Sequence, residues 1–341
     1  MTVQNGVVEA IGNTPLIKLR RASELTNCTI LGKAEFMNPG QSVKDRAARE
    51  MILAAERRAE ISPGGLVVEA TAGNTGIGLA VVANARGYRT LIVIPETQSQ
   101  EKKDTLRLYG AELIEVPAAP YSDPKSYQHV GRRIAEERRA NEPNGVLFAD
   151  QWNNLDNRAA HYVSTGPEIW QQTDGKVDGF ICAIGTGGTI AGVSSYLREQ
   201  KSGIVIGVAD PRGAAMYSLF SVGEAKASAG GSVTEGIGLG RVTPIMEDLK
   251  VEMAYLIPDE EAIPLLFELL KEEGLCLGGS SAINVAGAAR LAQDLGPGHT
   301  IVTILCDGGA RYQSKLFNPD FLRSKNLPVP EWLERKAAPN A

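Results

Sequence analysis

Histidine is scarce in this chain: three residues in 341, His129, His161 and His299. None is spaced with a cysteine or carboxylate as a metal site would be, so metal catalysis and histidine-based acid-base chemistry are both disfavoured. Cysteine is almost as rare. Cys28, Cys182, Cys276 and Cys306 lie far apart, form no C-x-x-C pair and sit mostly beside Val, Ile or Leu, which reads as buried free thiols rather than disulfides. No apolar run approaches the roughly 18 residues that a membrane span requires, and the N-terminal stretch lacks the charged-then-apolar order of a signal peptide. A basic run is also missing. The 35 Lys and Arg are interspersed with 40 Asp and Glu, and the formal net charge of -5 gives no reason to expect nucleic acid or an anionic membrane as partner. No repeat of fixed period occurs. What remains, with 43% hydrophobic and 22% charged residues, is an ordinary globular composition, expected to form two domains, to reside in the cytoplasm and to act on small molecules.

Short β-branched runs alternate with longer amphipathic stretches. "GGLVVEA", "TLIVIPE", "AELIEVP", "GVLFAD", "DGFICAIG", "IVIGVAD" and "TIVTILCDGG" read as buried strands, and "NTGIGLAVVANARGY" and "QSQEKKDTLRLYGA" as helices that end at a capping glycine. This order predicts an α/β fold with mainly parallel sheets flanked by helices. The turn cluster Asn141 to Gly145 is a candidate domain boundary. The Pro-rich tail, "LPVPEWLERKAAPNA", carries a little apolar content at Leu327, Val329 and Trp332, and is expected on the surface or against a partner subunit.

Two glycine loops stand between a strand and a helix. In "GTGGT", Gly185, Thr186, Gly187, Gly188 and Thr189 let backbone N-H groups converge at a helix N-terminus, where an anion such as a phosphate is the natural occupant. The spacing matches neither a P-loop nor a full G-x-G-x-x-G, which argues against ATP and dinucleotides. In "EATAGNTGIG", Thr71, Asn74 and Thr75 offer hydroxyl and amide groups suited to a carboxylate. Each loop taken alone also fits a plain turn or a helix cap. Two of them at the C-terminal ends of strands in one α/β chain point to a ligand site.

A third stretch, "NPGQSVKDRAA", places Lys44 at an apparent helix start. A lysine there is ordinarily a solvated charge. Desolvated near anion loops, it can instead form an imine with a carbonyl, and pyridoxal phosphate brings a carbonyl and a phosphate together.

The motifs "IGNTPLIKL", "NPGQSVKDR", "TAGNTGIGLA", "TGPEIWQQTDGKVDGFICAIGTGGTIAGV", "TEGIGLG" and "GGSSAINVAGA" resemble, in order and spacing, those of the pyridoxal-phosphate enzymes of the cysteine synthase (O-acetylserine sulfhydrylase) and cystathionine β-synthase group. The resemblance implies the fold type II architecture, like that of the tryptophan synthase β chain. It implies a small domain over 35–150, a large domain over 13–34 and 151–325, and a tail over 326–341. By the same resemblance Lys44 is the Schiff-base lysine and the base that moves the α-proton, and Gly185 to Thr189 form the phosphate cup. Asn74 then meets the cofactor's ring oxygen. Thr71, Ala72, Gly73, Asn74, Thr75 and Gln151 hold the substrate carboxylate, while Gly236, Ile237 and Gly238 wall its other side.

Two positions depart from the family pattern. Ala72 replaces a serine of the carboxylate loop, and in "LCDGGARY" Gly308 stands where a serine usually meets the pyridine nitrogen, with Asp307 just before it. Asp307 beside that nitrogen would favour a protonated ring, whereas Gly308 alone would leave it to water or Cys306. The implied activity is a β-replacement that makes L-cysteine from O-acetyl-L-serine and sulfide through an aminoacrylate. Its rivals are elimination of cysteine to sulfide, pyruvate and ammonia, and replacement with another nucleophile. The implied assembly is a homodimer, with serine acetyltransferase as a possible partner.

Overall fold

A computed structural model describes residues 3–334. Ten strands form two sheets. The larger has the order β1 (Leu16–Lys18), β2 (Thr29–Ala34), β10 (Thr300–Leu305), β7 (Gly179–Cys182), β8 (Val205–Pro211) and β9 (Met253–Ile257). The smaller runs β5 (Glu112–Val116), β4 (Arg89–Pro95), β3 (Leu66–Ala70) and β6 (Val146–Phe148). All pairings are parallel except the short β1–β2 edge. Parallel strands need covered faces, and β3, β7 and most of β4, β8 and β10 are buried throughout. That explains why these strands read as unbroken apolar runs. β1 and β9 escaped the sequence reading because they are edge strands and only partly buried, and β2 because Gly32 and the buried Lys33 interrupt its apolar run.

The two expected helices form at Asn74–Arg86 and Gln100–Leu108, and glycines in the left-handed region follow both, Gly87 at φ 77° and Gly110 at φ 78°. The cysteine expectation needs correcting. Cys28 and Cys182 are buried, but Cys276 lies exposed in the turn between two helices and Cys306 is only half-buried at the end of β10; all four are free. The tail, as far as it is described, lies largely exposed on the surface with a few apolar anchors. Through residue 334 it folds back on its own chain: Leu327 joins the large core, and the Trp332 ring meets Phe267 edge-on at 5.8 Å. The rest of the tail lies outside the described residues. Among the described residues no helix is long and apolar enough to cross a membrane.

The sheets are joined by a buried ion cluster. Arg46, on the helix Lys44–Arg57, has no exposed side-chain surface. It donates to Glu35 at 2.7 and 2.8 Å and to Glu168 at 2.6 and 2.7 Å. Lys33 of β2 reaches the same Glu168 at 2.7 Å. Burial alone would push the Glu168 carboxyl up, but the hydrogen bonds and charge of Arg46, with Lys33, outweigh it and hold the group at about 2. A carboxylate depressed in the folded state stabilises the fold above its ordinary value of 4.5, and that contribution is lost as pH falls toward 2. Glu168→Gln is therefore expected to lower the urea midpoint most at pH 7, with the gap to wild type narrowing as the pH is taken down to 3. A gap that is constant with pH would contradict this reading of the cluster.

Candidate active site

The C-terminal ends of β3, β7 and β10 face one cleft of about 680 Å³. The Pro-Gly turn before Lys44 is tied to the end of β10, where Val43 N donates to Cys306 O at 2.9 Å and Ser42 bridges to Asp307. This attachment delivers Lys44, the first residue of its helix, into the cleft. Its backbone N donates to Ser42 Oγ at 3.3 Å, but its ammonium has no hydrogen-bond or ion-pair partner among the described residues. The neighbouring Asp45 turns inward to the backbone of Gly40, and burial pushes its carboxyl up to about 7.

Lys44 also lines a second, small cavity of about 30 Å³ that is enclosed by Gly185 to Thr189 at the start of the helix Gly188–Gln200. Side chains could not be added to this loop. A Cβ at Gly185 would run into the carbonyl oxygen of Gly236, and Gly187 sits at φ 96° with a Cβ position occupied by Met246. The two threonines are held from behind. Thr186 Oγ1 accepts from Asn157 Nδ2 at 2.9 Å, and Thr189 Oγ1 lies 3.2 Å from His161 Nε2. Burial, followed by the charges of Arg46 and Lys44, pushes His161 well below its ordinary value, so the ring is neutral and serves as a fixed hydrogen-bonding partner.

Across the cleft, the loop Thr71 to Thr75 leads into the helix Asn74–Arg86. Thr75 Oγ1 donates to Gln151 Oε1 at 2.6 Å, and Gln151 Nε2 donates to Glu69 Oε1 and to Ala70 O, each at 3.2 Å. Asn74 is gripped on both sides: Nδ2 donates to Asp307 Oδ2 and Oδ1 accepts from Arg311, both at 2.6 Å. No side chain of this loop caps the helix. Thr71, Ala72, Gly73, Asn74, Thr75, Gln151, Gly236, Ile237 and Gly238 all line the large cavity, and Gly185 and Thr186 line both.

Asp307 and Gly308 are the exceptions, since neither lines either of these two cavities. Asp307 is buried beneath the wall, where it accepts from Asn74 and from Tyr312 OH at 2.6 Å each, and nothing crowds a Cβ position at Gly308. In their place the cleft is faced by Cys306 and by Ser280, from the start of the helix Gly279–Leu295. Burial pushes the Cys306 thiol up to about 12, so it stands as a neutral group. Ser280 belongs to the quoted "GGSSAINVAGA" motif, whose glycine-to-helix transition was its only signal in the sequence. Lys102 and Glu235 were also missed. They form a pair at 2.6 Å that Lys315 completes at 2.5 Å, and only folding brings these three distant positions together.

A lysine without a partner among the described residues, a glycine loop at one helix start and a hydroxyl-bearing loop at another share one cleft, an arrangement that suits a phosphorylated carbonyl compound. A family model described as pyridoxal-phosphate dependent enzyme matches residues 7–307, and the chain belongs to that family. It is similar to cysteine synthase 1 of Neurospora crassa, 50% identical over 98% of this chain and 89% of that protein. It is also similar to cystathionine beta-synthase of Dictyostelium discoideum, 36% identical over 97% of this chain and 65% of that protein. In structure it matches an O-acetylserine dependent cystathionine beta-synthase from Helicobacter pylori with a TM-score of 0.82 at 33% identity, over 92% of this chain and 99% of that one. The cofactor is pyridoxal 5'-phosphate, and the residues present fit it: the side-chain-free cradle accepts a phosphate and the unpaired Lys44 amine opens onto the same space.

Glu69 stands behind Gln151 as an uncommon support. It is fully buried, and desolvation, with the nearby Asp150, pushes its carboxyl up to about 8, so it is protonated at neutral pH. A group raised in this way costs stability as pH rises from its ordinary value of 4.5 toward 8, because only the unfolded chain ionises there. Glu69→Gln removes that cost. Its urea midpoint is expected to rise relative to wild type between pH 5 and pH 8; a relative fall over that range would show that Glu69 is ionised in the folded protein.

Proposed function

We propose that this enzyme makes L-cysteine from O-acetyl-L-serine and sulfide by β-replacement. The observation that carries the reading is the Lys44 amine, placed without a partner between the glycine cradle and the Thr71–Thr75 loop. Support comes from the similarity to proteins named cysteine synthase.

Pyridoxal phosphate, when bound, supplies an electron sink for the negative charge that develops at the substrate's α-carbon. The backbone amides of Gly185 to Thr189, at the positive end of the helix Gly188–Gln200, would hold its phosphate. Asn74, kept in one orientation by Asp307 and Arg311, is directed to its ring oxygen. Thr71, Thr75, Gln151 and the loop amides from Ala72 and Gly73 bind the α-carboxylate, with one hydroxyl fewer than a serine at position 72 would give. Gly236 and Ile237 close the opposite wall. Lys44 Nζ removes the α-proton and later returns it, and the leaving acetate takes the Cβ–O electron pair. Ser280 and the neutral Cys306 would add no charge to the cleft they line, and Asp307, buried beneath the wall, would influence the cofactor only through Asn74.

The division into a small domain over 35–150 and a large one over 13–34 and 151–325 is part of this proposal, supported by the separate stretches from which the two sheets draw their strands. So are a cytoplasmic homodimer and serine acetyltransferase as a partner.

Supplied with O-acetylserine and sulfide, the holoenzyme is expected to release cysteine and acetate. Lys44→Ala is expected to lose about a thousandfold or more in turnover, together with the visible absorbance of the protein-bound imine. Near-native turnover in that variant would overturn the role of Lys44. Rapid release of sulfide and pyruvate from cysteine alone, with little response to O-acetylserine, would replace the synthase reading with a desulfhydrase.

A further inference from the structure

The wall of the large cavity carries four charged side chains, Lys44, Lys102, Glu235 and Arg241. Three are accounted for. Lys102 and Lys315 close on Glu235 at 2.6 and 2.5 Å, and Lys44 is the amine that meets the cofactor. Arg241 has no carboxylate partner among the described residues. Its guanidinium lies 4.1 Å from the centre of the Tyr121 ring and 5.8 Å from that of Trp152, and Nη2 donates to Gln128 Oε1 at 3.3 Å. Two aromatic faces and a neutral amide fix a planar cation in place while leaving its charge uncompensated.

The anions of the proposed reaction do not need this cation. The cofactor phosphate has the glycine cradle, and the α-carboxylate has the Thr71–Thr75 loop with Gln151. Arg241 lines the large cavity and not the small one behind Lys44, so it serves the substrate end of the cleft. It is carried there by the segment that follows Gly236 to Gly240, and its stacking partner Trp152 directly follows Gln151.

We propose that Arg241 binds a second oxyanion, a carboxylate, phosphate or sulfonate that a reactant carries away from its α-carbon. The proposal rests on the β-replacement reading above and names the substrate class of that same site. The oxyanion has two sources: the leaving group on the donor's Cβ, or the incoming nucleophile. The exchange balances in both cases. The Cβ–O bond breaks with its electron pair going to the leaving oxygen, a Cβ–S bond forms from the thiolate, and the thiol proton passes to the leaving group or solvent. No oxidant or reductant is required.

The test compares reactant pairs within each protein, so that any loss of folded enzyme cancels. Wild type, Arg241→Gln and Arg241→Lys are assayed for kcat/KM with O-phosphoserine against O-acetylserine, sulfide being the nucleophile. They are then assayed with 2-mercaptoacetate against 2-mercaptoethanol, O-acetylserine being the donor. Arg241→Gln is expected to lower at least one of these ratios about tenfold, as the loss of a charged hydrogen-bonding partner does, and Arg241→Lys to recover part of it. A fall in the first ratio assigns the oxyanion to the leaving group, and a fall in the second to the nucleophile. If both ratios stay within about twofold of wild type, the proposal is overturned. If wild type fails to turn over O-acetylserine with sulfide, the synthase reading falls on its own. Calorimetric titration with phosphoserine against serine then decides the role of Arg241: selective weakening of phosphoserine by Arg241→Gln supports it, and equal weakening refutes it.

Discussion

The position of Lys44 depends on a charge two residues further along its helix. Arg46 is buried completely and anchors in two places at once, to Glu35 just beyond β2 and to Glu168 on the helix Gly166–Gln172. A guanidinium removed from water is costly unless every face finds an acceptor, so this cluster tolerates little displacement. Thr14, Asn38 and Gln172 complete it with further hydrogen bonds to its members or to the backbone beside them. The start of the helix Lys44–Arg57 is therefore held against the larger sheet, although much of that helix packs on the helix Asn74–Arg86 beside the smaller one. Lys44 sits beside the point where this cross-connection is most constrained.

Around it, several titratable groups are kept neutral. His161 is held without charge behind the Gly185–Thr189 loop, Glu69 is protonated behind Gln151, and Cys306 remains a thiol on the cleft wall. In each case burial is the largest cause. Neutral supports can hold a threonine or an amide in place without adding a field to the reacting atoms, and the charge of the cleft is left to a few lysines, Glu235 and Arg241. Glu235 itself is kept ionised by Lys102 and Lys315 despite its burial, so that loop 233–241 is clamped to both sides of the cleft.

The parallel strands, the two helices ending in glycine, and the three loops around Lys44, Asn74 and Gly187 were legible because each is a local signal: an apolar run, a cap, a turn that excludes side chains. β1 and β2 were not, since an edge strand of three residues and a strand interrupted by Gly32 and a buried Lys33 carry no unbroken apolar run. Cys276 misled because its apolar neighbours in sequence are turned away from it in space. Asp307 and Gly308 were singled out by counting along a motif, which gives the register of a strand end but not which side chain of it faces the cleft.

The amino-acid sequence determined the fold class, the place of Lys44 at a helix start, and the two glycine loops, because these follow from the spacing of residues along one strand-to-helix unit at a time. Only the tertiary structure decided that Cys306 and Ser280 face the cleft while Asp307 turns beneath it, that Glu69 is buried deeply enough to keep its proton, and that Arg241 stands between Tyr121 and Trp152 without a counter-charge. Each of these depends on what distant segments bring to the same place, and burial and charge pairing are properties of that shared surrounding rather than of any one stretch of chain.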